Sequence, residues 1–119
     1  MMRRGSPMVV HGTSGLGKPY GSGATGPNAY DCSGLTLKSY ASVGIGLNRT
    51  SQQQYLQGSS VSQAALQPGD LVFYNGGNPT HVGVYVGNNE IINALNSSTV
   101  VRYDVLTYPG SITGYRRYA

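Results

Sequence analysis

The single cysteine of the 119-residue chain, Cys32, lies in the segment YDCSGL (residues 30–35) and is the first candidate for chemistry. A thiol is a nucleophile only when ionised, and a free thiol with a pKa of about 8.5 is mostly protonated at neutral pH. The start of a helix lowers a thiol pKa through its free backbone N–H groups, and a helix is predicted to begin at Cys32. From this segment alone, Cys32 is either a catalytic nucleophile or a buried structural cysteine that packs as a small hydrophobe.

A cysteine nucleophile needs an imidazole that pairs with the thiolate and then protonates the leaving amine, and the chain has two histidines. His11 is predicted to belong to a solvated loop or a tag remnant. His81 opens the segment HVGVYVG (81–87), whose three valines alternate onto one face of a strand and leave His81 and Gly83 on the other. We expect Gly83 to leave a gap that another element, such as the Cys32 helix, approaches closely. The alternative is a histidine that is merely hydrogen-bonded at a strand end.

The imidazole of a catalytic pair also needs a group that holds its working tautomer, and Asn93 and Asn96 are the candidates. Asn93 interrupts an apolar run, where a carboxamide is costly unless it has a partner. With a regular two-residue hairpin tip at Asn88 and Asn89, Asn93 would face away from His81, whereas a bulge or a three-residue tip brings both onto one face. The pattern therefore predicts an irregular tip with Asn88 or Asn89 in the left-handed conformation.

The elements that must position these side chains are predicted helices followed by predicted strands, which is typical of an α+β domain. Helical spacing runs from Cys32 to Val43, with Asp31 as the N-cap. Thr50 and Gln53 have the spacing of a capping box at the start of a second helix, and a short helical turn is predicted within residues 62–70. Short β-rich segments then predict an antiparallel meander of strands at residues 71–74, 81–87, 90–95, 99–105 and 114–119.

Charge and composition exclude several classes of function. The net charge is +4, but the basic residues are scattered, so no nucleic-acid partner is expected. No segment is long and apolar enough to span a membrane. One cysteine excludes an internal disulfide, and one cysteine with two distant histidines makes a poor ligand set, so neither a metal nor another cofactor is expected.

Composition also bears on organisation and location. Only 10% of the residues are charged, and the polar remainder is rich in hydroxyl and amide groups, as is more common outside cells. Residues 1–10 lack the apolar core of a secretion signal and are interpreted as an expression leader or a flexible domain edge. Residues 11–119 are predicted to form one domain, expected to be secreted, associated with the cell wall and monomeric.

Taken together, five segments make the chain resemble the NlpC family of bacterial cell-wall cysteine peptidases, from about Gly17 to Arg117. The resemblance implies a papain-like fold in which N-terminal helices pack on a five- or six-stranded antiparallel sheet, with the nucleophile at a helix N-terminus. The segments that carry it are GKPY (17–20), TGPNAYDCSGL (25–35), RTSQQQY (49–55), LQPGDLVFY (66–74) and HVGVYVGNNEIINA (81–94).

The resemblance also implies roles for residues of this chain. Cys32 corresponds to the family nucleophile, His81 to the base, and Asn93 to the third catalytic residue, which is a histidine in many members. Tyr20 corresponds to a tyrosine that assists the oxyanion. A further group matches positions that line the substrate groove, where Asp31 either receives a cationic group of the peptide stem or serves only as an N-cap: Asp31, Ser33, Arg49 and Ser51.

The activity implied is hydrolysis of peptidoglycan stem peptides between D-glutamate, through its γ-carboxyl, and a diamino acid (meso-diaminopimelate or lysine), through an acyl-enzyme. Three alternatives remain open. One is an N-acetylmuramoyl-L-alanine amidase, which cuts between sugar and stem. Another is a catalytically silent module that binds the wall or regulates. The last is an inert, buried Cys32.

Overall fold

The computed structural model describes residues 15–118, so His11 and residues 1–10 lie outside the described part of the chain. The two α-helices are α1 (Cys32–Ala41) and α2 (Ser51–Gln57), followed by a 3-10 helix at Gln63–Ala65. The strands are β1 (Ser59–Val61), β2 (Leu71–Tyr74), β3 (His81–Gly87), β4 (Glu90–Asn93), β5 (Arg102–Val105) and β6 (Ile112–Arg117). Helices thus precede most of the strands, and the predicted α+β class is confirmed.

The six strands form one sheet in the order β1-β6-β2-β3-β4-β5, and every neighbouring pair is antiparallel. Helix α1 packs on the face that carries the valines of β3. The core on that face includes Tyr40, Leu71, Phe73, Val82 and Val84, and the core on the opposite face includes Val72, Tyr74, Ile91, Leu106 and Tyr115. No helix within residues 15–118 combines the length and the apolar character that a membrane crossing requires.

Both helices begin at the predicted capping residues. Asp31 accepts the backbone N–H of Gly34 at 2.6 Å, which fixes the first turn of α1 at Cys32. Thr50 and Gln53 form the predicted capping box of α2, because each side chain bonds the backbone N–H of the other residue. Helix α1 ends two residues earlier than predicted, since residues 42–44 already turn toward Gly44, whose φ is +81°.

Strand positions follow the prediction most closely in the middle of the sheet. Strands β2 and β3 have the predicted bounds, whereas β4 is shorter than predicted, β5 begins later, and β6 is shifted toward the N-terminus. Strand β1 was missed, because the sequence Ser-Ser-Val has no apolar alternation. It is a strand only through its pairing with β6, more than fifty positions along the chain.

The hairpin between β3 and β4 has the predicted irregular tip. Asn88 and Asn89 are both left-handed, with φ of 53° and 62°. The register shifts between Tyr85 and Gly87, so that Val84 rather than Tyr85 lies opposite Ile92. This bulge gives Asn93 the same face as His81, which confirms the prediction about face.

The expected gap at Gly83 is filled differently. A β-carbon at Gly83 would lie 2.9 Å from Cδ1 of Ile91 and 3.2 Å from Cβ of Asn93. The expectation that the Cys32 helix enters there was wrong, because α1 covers the opposite, valine face of β3. The missing side chain instead makes room for strand β4 beside His81.

Glycine is also required at position 34 of α1, because another segment of the chain lies very close to it. A β-carbon there would overlap the carbonyl oxygen of Ala24, in the loop that precedes the helix. In an open helix, alanine in place of glycine would stabilise by about 1 kcal/mol. Here the overlap forces backbone movement, so we expect Gly34→Ala to lower the free energy of unfolding by about 1–3 kcal/mol in urea titrations. Gly77→Ala, where the added carbon meets open space, is the control and is expected to change little. Equal effects of the two substitutions would contradict the close approach.

Candidate active site

Cys32 is the first residue of α1, and its side chain points to the start of β3. Its Sγ lies 4.0 Å from the carbonyl oxygen of Thr80, and the backbone N–H of Val82 is close enough to lower the pKa of the thiol. Thr80 and Val82 flank His81 in the chain, so the sulfur rests against the backbone on both sides of that histidine. The residue as a whole is partly exposed.

The helix start alone does not ionise this thiol. Burial raises the pKa of Cys32, and the negative charge of Asp31 raises it further. The backbone N–H of Val82 on β3 and that of Ser33 at the start of α1 lower the pKa, but burial is the larger effect. A thiolate therefore needs a cation beside it.

His81 is 4% exposed, and one ring nitrogen has a fixed partner. Nε2 lies 2.7 Å from Oδ1 of Asn93. Burial lowers the pKa of His81, while the hydrogen bond to Asn93 and the negative charge of Asp104 act to raise it. The ring also packs against Tyr74 on β2, with 5.5 Å between ring centroids. A buried, neutral imidazole held in this way is suited to accept a proton.

Asn93 is fully buried at the end of β4 and uses both ends of its carboxamide. Its Nδ2 donates to Oδ2 of Asp104 at 2.9 Å and lies 3.5 Å from the carbonyl oxygen of Arg102. Asn96, the other candidate, instead accepts the backbone N–H of Ser98 and holds the turn after β4. Of the two asparagines, only Asn93 bonds His81 within the described chain.

Asp31 links the start of α1 to the side chain of Arg49. Its carboxylate binds the guanidinium of Arg49 through two contacts, of which the Nη2–Oδ2 distance is 2.7 Å. Arg49 also donates to Oγ of Ser33 at 2.8 Å, and Oδ2 of Asp31 accepts the N–H of Gly23 at 3.1 Å. The N-cap role is therefore present, and the remaining capacity of the carboxylate is used inside the protein.

Tyr20 lies beside this cluster, on the loop that leads into α1. The loop is held by backbone hydrogen bonds of 3.1 Å from Tyr30 to Pro19 and of 3.0 Å from Gly21 to Tyr30. Burial raises the pKa of Tyr20, and negative charge on Cys32 raises it further, so its hydroxyl lies within electrostatic reach of the sulfur. At neutral pH this phenol remains a hydrogen-bond donor.

Ser51 and Gln54 tie α2 to the other elements of the site. The buried Ser51 hydroxyl donates to the carbonyl oxygen of Pro79 at 2.7 Å, just before β3. Gln54 is fully buried, donates to the carbonyl oxygen of Ser33 at 3.0 Å and accepts the hydroxyl of Thr36 at 2.7 Å. Sequence reasoning missed Gln54, although its polar side chain on the capped helix was a signal.

Asp104 was also missed. It lies on β5 opposite Ile91, on the face that carries Asn93, and its position follows only from the register between β4 and β5. Across residues 15–118, no three His, Cys, Asp or Glu side chains gather as a metal site would require.

Comparison with known proteins gives a consistent result. The family model described as "NlpC/P60 family" matches residues 17–117. A Corynebacterium glutamicum protein named "Probable endopeptidase Cgl2188" is 50% identical over 105 residues, which are 87% of this chain and 49% of that protein. The Bacillus subtilis "Bifunctional muramidase/DL-endopeptidase CwlT" is 43% identical over 86 residues, which are 68% of this chain and 26% of that protein.

A solved structure agrees with these sequence relatives. The "peptidoglycan hydrolase RipB" of Mycobacterium tuberculosis superposes with a TM-score of 0.81 and 31% identity, covering 93% of this chain and 62% of that one. The chain spans about half the length of the first relative and about a quarter of the second.

If the sulfur gives its proton to His81, removal of the imidazole must make the thiol harder to ionise. We expect His81→Ala to move the pH profile of Cys32 alkylation by iodoacetamide upward, because burial then acts on the thiolate without a compensating cation. His11→Ala is the matched control and should leave the profile in place. An unchanged profile in His81→Ala would mean that the two side chains are not paired.

Proposed function

The chain belongs to the NlpC/P60 family, and we propose that it is a cysteine endopeptidase that hydrolyses peptidoglycan stem peptides at the bond between D-γ-glutamate and a diamino acid. The observation that carries the proposal is the arrangement at the start of β3. There the Cys32 sulfur lies against the backbone on both sides of His81, and Nε2 of His81 bonds Asn93. A thiol, a base and an orienting group in this order suit acyl transfer.

In the acylation step, Sγ of Cys32 attacks the carbonyl carbon while its proton passes to Nδ1 of His81. The negative charge that develops on the carbonyl oxygen is met by the Tyr20 hydroxyl and by backbone N–H groups at the start of α1. His81 then returns the proton to the leaving amine, the C–N bond breaks, and a thioester to Cys32 remains.

In the deacylation step, water attacks the thioester and His81 accepts one of its protons. The C–S bond breaks, the carboxylic acid leaves, and the proton returns to the sulfur. Asn93 holds the ring throughout and carries no charge of its own. The cycle consumes one water for each bond cut, and we propose that it needs no metal or other cofactor.

The choice of bond rests on the family and on similarity to a relative that is named a DL-endopeptidase. Among the groove residues, we propose direct substrate contact for Tyr20 and Arg49, which are partly exposed. Ser33 and Ser51 are buried, and their hydroxyls hold neighbouring groups, so their proposed role is support. Asp31 is proposed to hold Arg49 rather than to receive a cation of the substrate, because its carboxylate is already paired.

The proposed function also implies where the protein acts and in which oligomeric state. Its substrate is a wall polymer, so we propose that it acts outside the cell, associated with the wall. A single chain supplies every side chain of the proposed mechanism, so we propose that the monomer is active.

The proposal is tested with purified stem peptides and whole sacculi, incubated with the wild type, Cys32→Ala and His11→Ala. Mass spectrometry is expected to find cuts after D-glutamate with the wild type and His11→Ala, and none with Cys32→Ala. Release of intact stems from the glycan would instead identify an amidase. No cleavage of either substrate, together with a Cys32 that resists alkylation at neutral pH, would favour a silent wall-binding module.

The pH dependence of kcat/KM provides a second test. Protonated His81 cannot accept the thiol proton, so the rate must fall on the acid side as the Cys32–His81 pair takes up a proton. Because burial lowers the pKa of His81, we expect the midpoint of this fall below pH 6.5, the ordinary value for histidine. The measurement is the initial rate of peptide cleavage between pH 4 and 8. A midpoint above 6.5 would contradict the assignment of the base.

A further inference from the structure

A hydrogen-bonded chain of four side chains runs from His81 through Asn93 and Asp104 to Arg102. The outer two, Asp104 and Arg102, have no part in the mechanism above. Nε2 of His81 lies 2.7 Å from Oδ1 of Asn93, and Nδ2 of Asn93 lies 2.9 Å from Oδ2 of Asp104. The same Oδ2 accepts Nε of Arg102 at 3.1 Å. This hydrogen-bonded chain crosses three neighbouring strands, β3, β4 and β5.

The chemistry of Asp104 settles which way the Asn93 carboxamide faces. A carboxamide has a donating and an accepting end of nearly equal size, so His81 alone accommodates either orientation. An ionised carboxylate only accepts hydrogen bonds, and so does the backbone carbonyl of Arg102, the other group near Nδ2. The NH₂ group of Asn93 must therefore face Asp104, which turns its oxygen toward His81.

This orientation in turn fixes the proton on the imidazole. An oxygen of Asn93 can only accept, so Nε2 of His81 must carry a proton. In the neutral ring this leaves the lone pair on Nδ1, which is the nitrogen that remains to take the proton of Cys32. With the carboxamide reversed, the lone pair would lie on Nε2, where it would be taken up by the bond to Asn93.

Asp104 also supplies a charge that Asn93 lacks. The titratable groups that face His81 within residues 15–118 include Tyr74 on β2 and Asp104 on β5, which is paired with Arg102, and the thiol of Cys32 lies against the neighbouring backbone. The negative charge of Asp104 acts against the effect of burial on the imidazole. Arg102 forms an ion pair with that carboxylate and weakens its field.

We propose that Asp104 is a positioning residue, which orients the Asn93 carboxamide and thereby holds His81 in the tautomer that serves Cys32. Its importance for turnover rests on the proposed function. The tautomer itself does not, because it is a property of the resting protein.

The test uses Asp104→Asn, which keeps the size of the side chain and removes its charge. The background is Cys32→Ala, so that His81 titrates without the thiol. The readout is the ring nitrogen chemical shifts of His81 by NMR across a pH titration. The chain has two histidines, and the His81 signals are those lost in His81→Gln.

We expect Asp104→Asn to lower the pKa of His81 and to let part of the neutral rings move their proton to Nδ1. Arg102→Gln is the matched variant. It leaves Asp104 in place without its counter-charge, so the pKa of His81 should rise while Nε2 keeps the proton. Shifts in opposite directions are not expected from general loosening of the site. If Asp104→Asn does not fold, the direction of the shift in Arg102→Gln decides.

With Cys32 present, Asp104→Asn should lower kcat about tenfold with little change in KM, far less than the drop of about 10⁴ seen when a directly bonded orienting carboxylate is replaced. An unchanged His81 pKa and tautomer in Asp104→Asn would overturn the positioning role, even if peptides are still cleaved. Conversely, a wild type that cuts no peptide refutes the proposed function and leaves the tautomer measurement to stand or fall separately.

Discussion

The arrangement of the site depends on one buried carboxamide, that of Asn93, which bonds His81 at one end and Asp104 at the other. Burying an amide is costly unless each end is paired, so this position on β4 is stable only while both strands beside it hold their register. The bulge between Tyr85 and Gly87 is what places Asn93 on the face of His81. Gly83 makes the same placement possible, since a β-carbon there would press on Asn93. The register of the β3–β4 hairpin therefore decides whether Asn93 can form its hydrogen bond to His81.

Burial acts in opposite directions on the thiol and the imidazole, so in the proposed mechanism each group depends on the other. It raises the pKa of the Cys32 thiol and lowers the pKa of His81, so each group alone favours its neutral form. When the proton moves from sulfur to ring, each new charge stabilises the other at short range in a medium of low dielectric constant. In the proposed mechanism, backbone N–H groups at the start of α1 stabilise the anion, and the negative charge of Asp104 stabilises the cation. We therefore propose that the site works by transfer of a proton from sulfur to ring rather than with a permanently ionised thiol.

Local signals made much of the structure predictable from the sequence. Asp31 and Thr50 correctly predicted the two helix starts, and the alternation in residues 81–87 correctly predicted β3. Both signals are local, because capping and side-chain alternation act between near neighbours. Parity of side chains along a hairpin even predicted the irregular tip at Asn88 and Asn89. Features set by distant pairing were not accessible: β1 exists through β6, and Asp104 reaches Asn93 through the β4–β5 register. The expectation at Gly83 was wrong for a different reason, since side-chain alternation does not tell which neighbouring element fills a gap.

In the proposed mechanism Cys32, with its proton taken by His81, forms an acyl bond to the stem peptide. The most direct measurement is mass spectrometry of the protein after rapid acid quenching during turnover of a purified stem peptide, followed by proteolysis to locate any added mass. We expect the peptide fragment carrying Cys32 to gain the mass of the acyl portion that ends in D-glutamate, and the gain to disappear as substrate is exhausted. Cleavage of the stem peptide with no acyl mass on Cys32 at any quench time would contradict this mechanism.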